Sequence, residues 1–196
     1  MTETTARRIP DLADLDEAGR PKAPPVPGAT DHDRRRGLHL AAIHRGHLME
    51  MHRLAQILDQ VAAGVPGAAD QLADAVPAME MVRNMQAVGT LCGRECQMLT
   101  FHHDIEEAQM FPGLDSVGNA GLSAVVAKLK AEHLVVHELI DLLAADAETL
   151  RRDPSAEALK RARESFEALG RVVRSHFGYE ETELQEALGH YFGDAI

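Results

Sequence analysis

Between Leu40 and Val61 the apolar positions recur at gaps of four and three: Leu40, His44, His47, Met51, Leu54, Leu58 and Val61. That rhythm is the buried seam of a helix packed against other helices, and two of its positions are histidines. The same spacing returns further on. Leu122, Val126, Leu129, His133, Val136, His137, Ile140 and Leu143 mark one helix, and Leu159, Ala162, Phe166, Leu169, Val173, His176 and Glu180 another. A polar side chain on a buried seam needs a partner, so the histidines constrain the fold as strongly as the leucines do.

Punctuation divides the rest. Gly64, Pro66 and Gly67 close the first long helix, and residues 68–77 form a loop ending at Pro77. A second helix is expected from about Ala78 to Phe111, stopped by Pro112-Gly113. The third ends near Asp153, which caps a fourth opening at Pro154-Ser155. No alternating strand pattern of useful length occurs. The expectation is an all-α chain, an antiparallel up-down four-helix bundle over residues 34–192. Residues 1–33 hold five of the nine prolines and no apolar period, and read as a flexible tail whose Leu12 and Leu15 can pack on the bundle.

Composition narrows the function. Aromatics are 4% and Trp is absent, leaving Leu, Ala, Val and Met to fill a helical core. A net charge of −11 with no basic stripe argues against a nucleic-acid surface, Arg34-Arg35-Arg36 being a solvated run near a helix. No apolar run suggests a leader or a membrane span, so the expected location is cytoplasmic. Cys92 and Cys96, four apart, are expected as reduced small hydrophobes, since a disulfide across one helical turn has poor geometry.

Four segments carry metal-ligand side chains one turn apart: Ile43-His44-Arg45-Gly46-His47, Phe101-His102-His103-Asp104-Ile105-Glu106-Glu107, Glu132-His133 with His137, and His176-Phe177-Gly178-Tyr179-Glu180. With neighbouring helices antiparallel, residues early in helices one and three share a level with residues late in two and four. All four segments therefore fall in one layer. Five or six histidines and two glutamates exceed one tetrahedral zinc and suit a dinuclear site of mixed nitrogen and oxygen ligands.

His102-His103-Asp104-Ile105-Glu106-Glu107 followed by Met110-Phe111-Pro112 resembles the His-His-x-x-Glu-Glu…Phe-Pro signature of hemerythrin-like (HHE) domains, and Glu132-His133…His137 and His176-Phe177…Glu180-Glu181 resemble that family's later motifs. The resemblance covers about residues 36–190. It implies two non-haem iron ions, oxo- or hydroxo-bridged, with His44, His102, Glu106, His133, His137, His176 and Glu180 as ligands. His47 shares the seam with His44 and is an extra ligand, a replacement for it, or a partner orienting a bound oxygen species. His103/Glu107 has the spacing of His102/Glu106; proximity to the Phe-Pro turn favours the latter. Tyr179 stands beside Glu180 and is expected to face outward or pack, with a phenolate ligand or hydrogen-bond donor to the site as the alternative.

The small oxygen species O₂, H₂O₂ and NO are the expected partners. Polar groups at His47, His103, Tyr179, Glu107 and Glu181 tilt the expectation towards peroxide (catalase-like) or nitric oxide chemistry in stress protection. The alternative is a reversible O₂ carrier, or an oxygen or iron sensor reporting through the tail.

Overall fold

The computed structural model describes residues 7–62, 94–152 and 155–193. The loop expected at 64–77, the first turns of the second helix, Cys92 and the proposed cap at Asp153-Pro154 lie outside the described residues, as does the side chain of Cys96. Among the described residues every regular element is helical. They comprise 3₁₀ turns at Leu12–Leu15 and Glu17–Gly19, α1 (Asp31–Arg36), α2 (Leu38–Ala62), α3 (Arg94–Ile105), a π-helical turn (Glu106–Met110), α4 (Phe111–Ser116), α5 (Ala120–Arg152) and α6 (Ala156–Tyr191). Among them no helix is long and apolar enough to cross a membrane.

Two boundaries differ from the sequence reading. Pro112 does not end its helix: the chain continues through α4. Proline has no N–H to give and its ring crowds the carbonyl four residues back. The preceding turn widens, so that the Phe111 N–H reaches the Glu106 carbonyl five residues earlier and the helix axis is kept. At the start of α6 the cap is Ser155, whose hydroxyl accepts from the Ala158 N–H at 3.3 Å.

α6 is the hub, packing on α5, α2, α1, α4 and the 3₁₀ turn at Leu12–Leu15. Its contact with the α1–α2 junction requires glycine on both sides. A Cβ on Gly37 would collide with the Gln185 carbonyl, and one on Gly189 with the Asp33 carbonyl. This close approach fixes where α2 starts, and with it the direction of His44 two turns later.

The core consists of two apolar clusters. One gathers Met51, Leu99, Val136, Leu139, Leu143, Phe166, Leu169, Val173 and Phe177. The other gathers Leu40, Met110, Phe111, Leu114, Leu122, Val126, Leu129, Leu184 and Leu188. Each long element leaves one cluster, contributes histidine, in two cases with glutamate, and enters the other: Leu40 to Met51 through His44, Leu99 to Met110 through His103 and Glu106, Leu129 to Val136 through His133, Val173 to Leu184 through His176 and Glu180. A polar layer thus divides the apolar interior.

Residues 7–30, expected as a flexible tail, are packed instead. Leu15 is buried in the first cluster and Val26 in the second. The backbone N–H groups of Ala23 and Val26, placed where prolines leave few donors, are accepted by the Glu183 and Glu186 carboxylates of α6, each at 2.6 Å. Leucine burial plus charge-assisted hydrogen bonds outweighs the proline-rich composition that suggested disorder.

Candidate metal centre

Two groups of ligand atoms meet in the polar layer. His103, His133 and His176 each bring a ring nitrogen within 4.8 Å of the others, and His44, His102, Glu106 and Glu180 do the same with one nitrogen or oxygen each. Glu106 touches both: its Oε1 lies 2.9 Å from His102 Nε2 and its Oε2 lies 3.4 Å from His133 Nε2. Glu180 Oε2 lies 3.4 Å from His44 Nε2, which is 3.0 Å from His102 Nε2. His103 and His133 stack with ring centres 3.9 Å apart, and Phe177 lies flat on His44 at 3.7 Å.

Seven of the inward atoms lack an aligned hydrogen bond. His103 Nε2, His133 Nε2, His176 Nε2 and both carboxyl oxygens of Glu106 and of Glu180 are buried without an aligned hydrogen bond. A buried polar atom left unsatisfied costs about 1–3 kcal/mol, so seven would together cost on the order of ten. That rivals the ~5–15 kcal/mol stability of a whole domain. Neutral imidazole and carboxylate aimed at common points are the donor set that divalent iron, manganese or zinc takes, and cations there would take one atom from each of these residues. The residues fit a metal centre.

The outward atoms, by contrast, are tied down. His44 Nδ1 is 2.9 Å from Glu181 Oε1, His133 Nδ1 is 2.8 Å from Glu107 Oε1, and His176 Nδ1 is 3.1 Å from Glu132 Oε2. A carboxylate only accepts, so each imidazole donates from Nδ1 and keeps the Nε2 lone pair inward. His103 uses its Nδ1 differently, at 3.2 Å from His137 Nε2. Glu132 is itself held by Arg20, whose Nε and Nη2 give its two oxygens hydrogen bonds of 2.8 and 2.9 Å.

Protonation follows from burial. Desolvation, then the neighbouring histidines, pushes His44 and His133 down to about 2, and His103 falls well below its ordinary value for the same reasons. His176 falls too, since burial outweighs its contact with Glu132. Burial raises Glu106 to about 8, and burial plus the Glu106 charge carries Glu180 well above the carboxylate range. Burial works against the Glu132 charge, but His176 and Arg20 together outweigh it and hold that carboxyl below its ordinary value. Without a cation, burial favours neutral imidazoles at His44, His103, His133 and His176 and protonated carboxyls at Glu106 and Glu180.

Set against the sequence expectations, the structure brings His44, His102, Glu106, His133, His176 and Glu180 together and adds His103. His137 is not in either group. One turn beyond His133, it stands behind the His103 ring, which takes the inward place by stacking on His133. His47 is also outside both groups, buried with its ring centre 5.3 Å from that of His102. Tyr179 turns away: its hydroxyl donates to the Pro21 carbonyl at 2.8 Å and its ring carries the Arg20 guanidinium at 4.7 Å. The roles of Glu107, Glu132 and Glu181 were foreshadowed only by their adjacency to an inward residue. Arg20 had no sequence signal.

A cavity of about 460 Å³ between α2 and α3 is lined by Leu40, Ile43, Met98, Phe101, Ile105 and Phe192, with His47 and His102 among its few polar members.

No curated protein and no solved structure matches the chain closely enough to show kinship. A family model does match: that of the hemerythrin HHE cation-binding domain, over residues 38–188, which spans α2 to all but the last turn of α6 and includes every inward ligand atom. With most of its length under that one model and a convergent imidazole–carboxylate centre inside it, the chain belongs to the hemerythrin HHE cation-binding domain family.

Proposed function

We propose that the chain is an antiparallel up-down four-helix bundle holding a non-haem di-iron centre that binds O₂, or nitric oxide, reversibly. The bundle reading rests on the order in which the helices cross the two apolar clusters, one way along α2 and α5 and the other along α3 and α6. His103, His133 and His176 would hold one ion and His44, His102, Glu106 and Glu180 the other, with Glu106 also reaching His133. Bound there, the ion pair would supply electrons and a coordination position for a small ligand.

The observation that carries the reading is the lining of the cavity. It reaches His102, on the side with two imidazoles, and is built mostly of apolar side chains. Three of the five polar groups expected to crowd the site are engaged away from the cavity. Tyr179 bonds Pro21, while Glu107 and Glu181 hold His133 and His44. An apolar approach favours a neutral diatomic over a hydrated peroxide.

One observation favours turnover of peroxide as a second reading: His47 lines the cavity beside His102, where an imidazole is placed to move a proton. Iron-loaded protein, reduced under inert gas and then exposed to O₂, should change its visible spectrum and revert on purging. It should leave hydrogen peroxide largely intact. Rapid O₂ evolution from peroxide, abolished in His47→Leu, would establish the second reading. Failure to retain about two metal ions per chain would overturn both.

A further inference from the structure

The geometry points to Arg20 as a positioning residue for the metal centre, acting through Glu132 on the imidazole of His176. This rests on the metal reading above but concerns a part of the chain outside the matched family domain. Three carboxylates orient inward histidines, and two of them, Glu107 and Glu181, keep 43% and 34% of their side-chain surface in water. Glu132 keeps 1%. Water can neither hydrate nor steady it, and the Arg20 fork does so instead, with two hydrogen bonds of 2.8 and 2.9 Å and a side chain itself only 13% exposed. A fork occupying both oxygens fixes the carboxylate plane, which a point charge would not do. The plane in turn sets the angle at which Glu132 Oε2 meets His176 Nδ1, 3.1 Å away.

Arg20 is held in place from outside the site. Its guanidinium lies over the Tyr179 ring, Tyr179 bonds the Pro21 carbonyl, and Glu183 accepts from the Ala23 N–H. Residues 20–23 thus form a strap along α6 whose first side chain reaches the ligand shell.

A merely structural strap would stabilise the fold without touching the centre, and the test separates the two. Arg20→Gln, Arg20→Lys and Glu183→Gln are compared in full-length protein. Co²⁺ serves as a spectroscopic stand-in for iron, and imidazole ¹⁵N shifts of His176 are read in the metal-free protein. Arg20→Gln is expected to weaken Co²⁺ binding about 10–100-fold, to shift the visible Co²⁺ bands and to mix the His176 tautomers. Arg20→Lys should fall between, keeping charge but not the fork, and it guards against a misfolded glutamine variant. Glu183→Gln should lower Tm with the Co²⁺ bands and His176 shifts unchanged. Equal effects of Arg20→Gln and Glu183→Gln on bands and shifts would overturn the proposal, as would His176 shifts untouched by Arg20→Gln. If the wild type takes up no metal, the di-iron reading falls, and the His176 tautomer in metal-free protein still decides the role of Arg20.

Discussion

Glu107 Oε1 and His133 Nδ1 stand 2.8 Å apart, although one residue belongs to the turn after α3 and the other to α5. The relationship repeats around the centre. Glu132 of α5 serves His176 of α6, and Glu181 of α6 serves His44 of α2. Each carboxylate adjoins an inward residue on its own element and orients the imidazole of the next. Among the described side chains α2 supplies no such carboxylate; its second histidine, His47, lies beside His102 instead.

The placement of His103 inside a ligand group and of His137 outside both gives a direct test. His103→Ala should lower metal content from about two ions per chain towards one, because it removes an inward nitrogen from a group of three. His137→Ala should keep both ions and weaken binding about 10–100-fold, the usual cost of losing a group behind a ligand. Metal analysis and titration of the two purified variants decide it. Equal loss of metal in both would return His137 to the ligand set.

Glu106→Gln should separate stability from binding. The amide removes a buried acid whose oxygens have no aligned partner, so metal-free protein should melt at the same temperature or higher. The same change should abolish binding of at least one ion, since the carboxylate reaches both groups. Paired thermal melts with and without metal measure this, and a marked drop in the metal-free melt would refute the account.

The pH response of the centre has a definite sign. Glu106 and Glu180 are raised on folding, so their contribution to metal-free stability is complete below about 4.5 and is lost as pH rises, for Glu106 through about 8. His44 and His133 are depressed, and their contribution is complete above about 6.5 and is lost as pH falls towards 2. Metal binding must drive protons off both acids, so affinity should rise with pH, up to about tenfold per unit for each proton released. Melts of metal-free and loaded protein between about pH 5.5 and 7.5 should therefore draw apart. A gap that narrows would contradict the protonated-acid picture.

Gly189→Ala should cost about 1–3 kcal/mol, seen as a lower urea midpoint at unchanged m-value, because the added carbon meets the Asp33 backbone and not a yielding side chain. Ala at Gly178, where a Cβ meets open space, is the control and should be neutral or slightly stabilising.

Helix content and the level of the site were legible because the signals were periodic. Leu40, His44, His47 and Met51 could be assigned to one face by counting. Counting could not separate His102 from His103, since each has a glutamate four residues on, nor show that both turn inward. It also could not rank His137 below His103, because that order comes from ring stacking between two helices. Pro112 was read as a stop because a π turn that absorbs its clash has no residue signature. Arg20 lay in a stretch whose composition suggested disorder, and its partner is 112 residues away.

The carboxylate placement also bears on transplantation. A designer who copies one helix of this centre into another bundle copies a ligand without its support, and a support without the ligand it serves. His133 would arrive without Glu107, and Glu132 would have no His176 to hold. Inheritance of the site is therefore collective: a foreign helix joins it only if its neighbours on both sides come too, and recombination within residues 102–181 is expected to scatter metal affinity far more than it scatters fold.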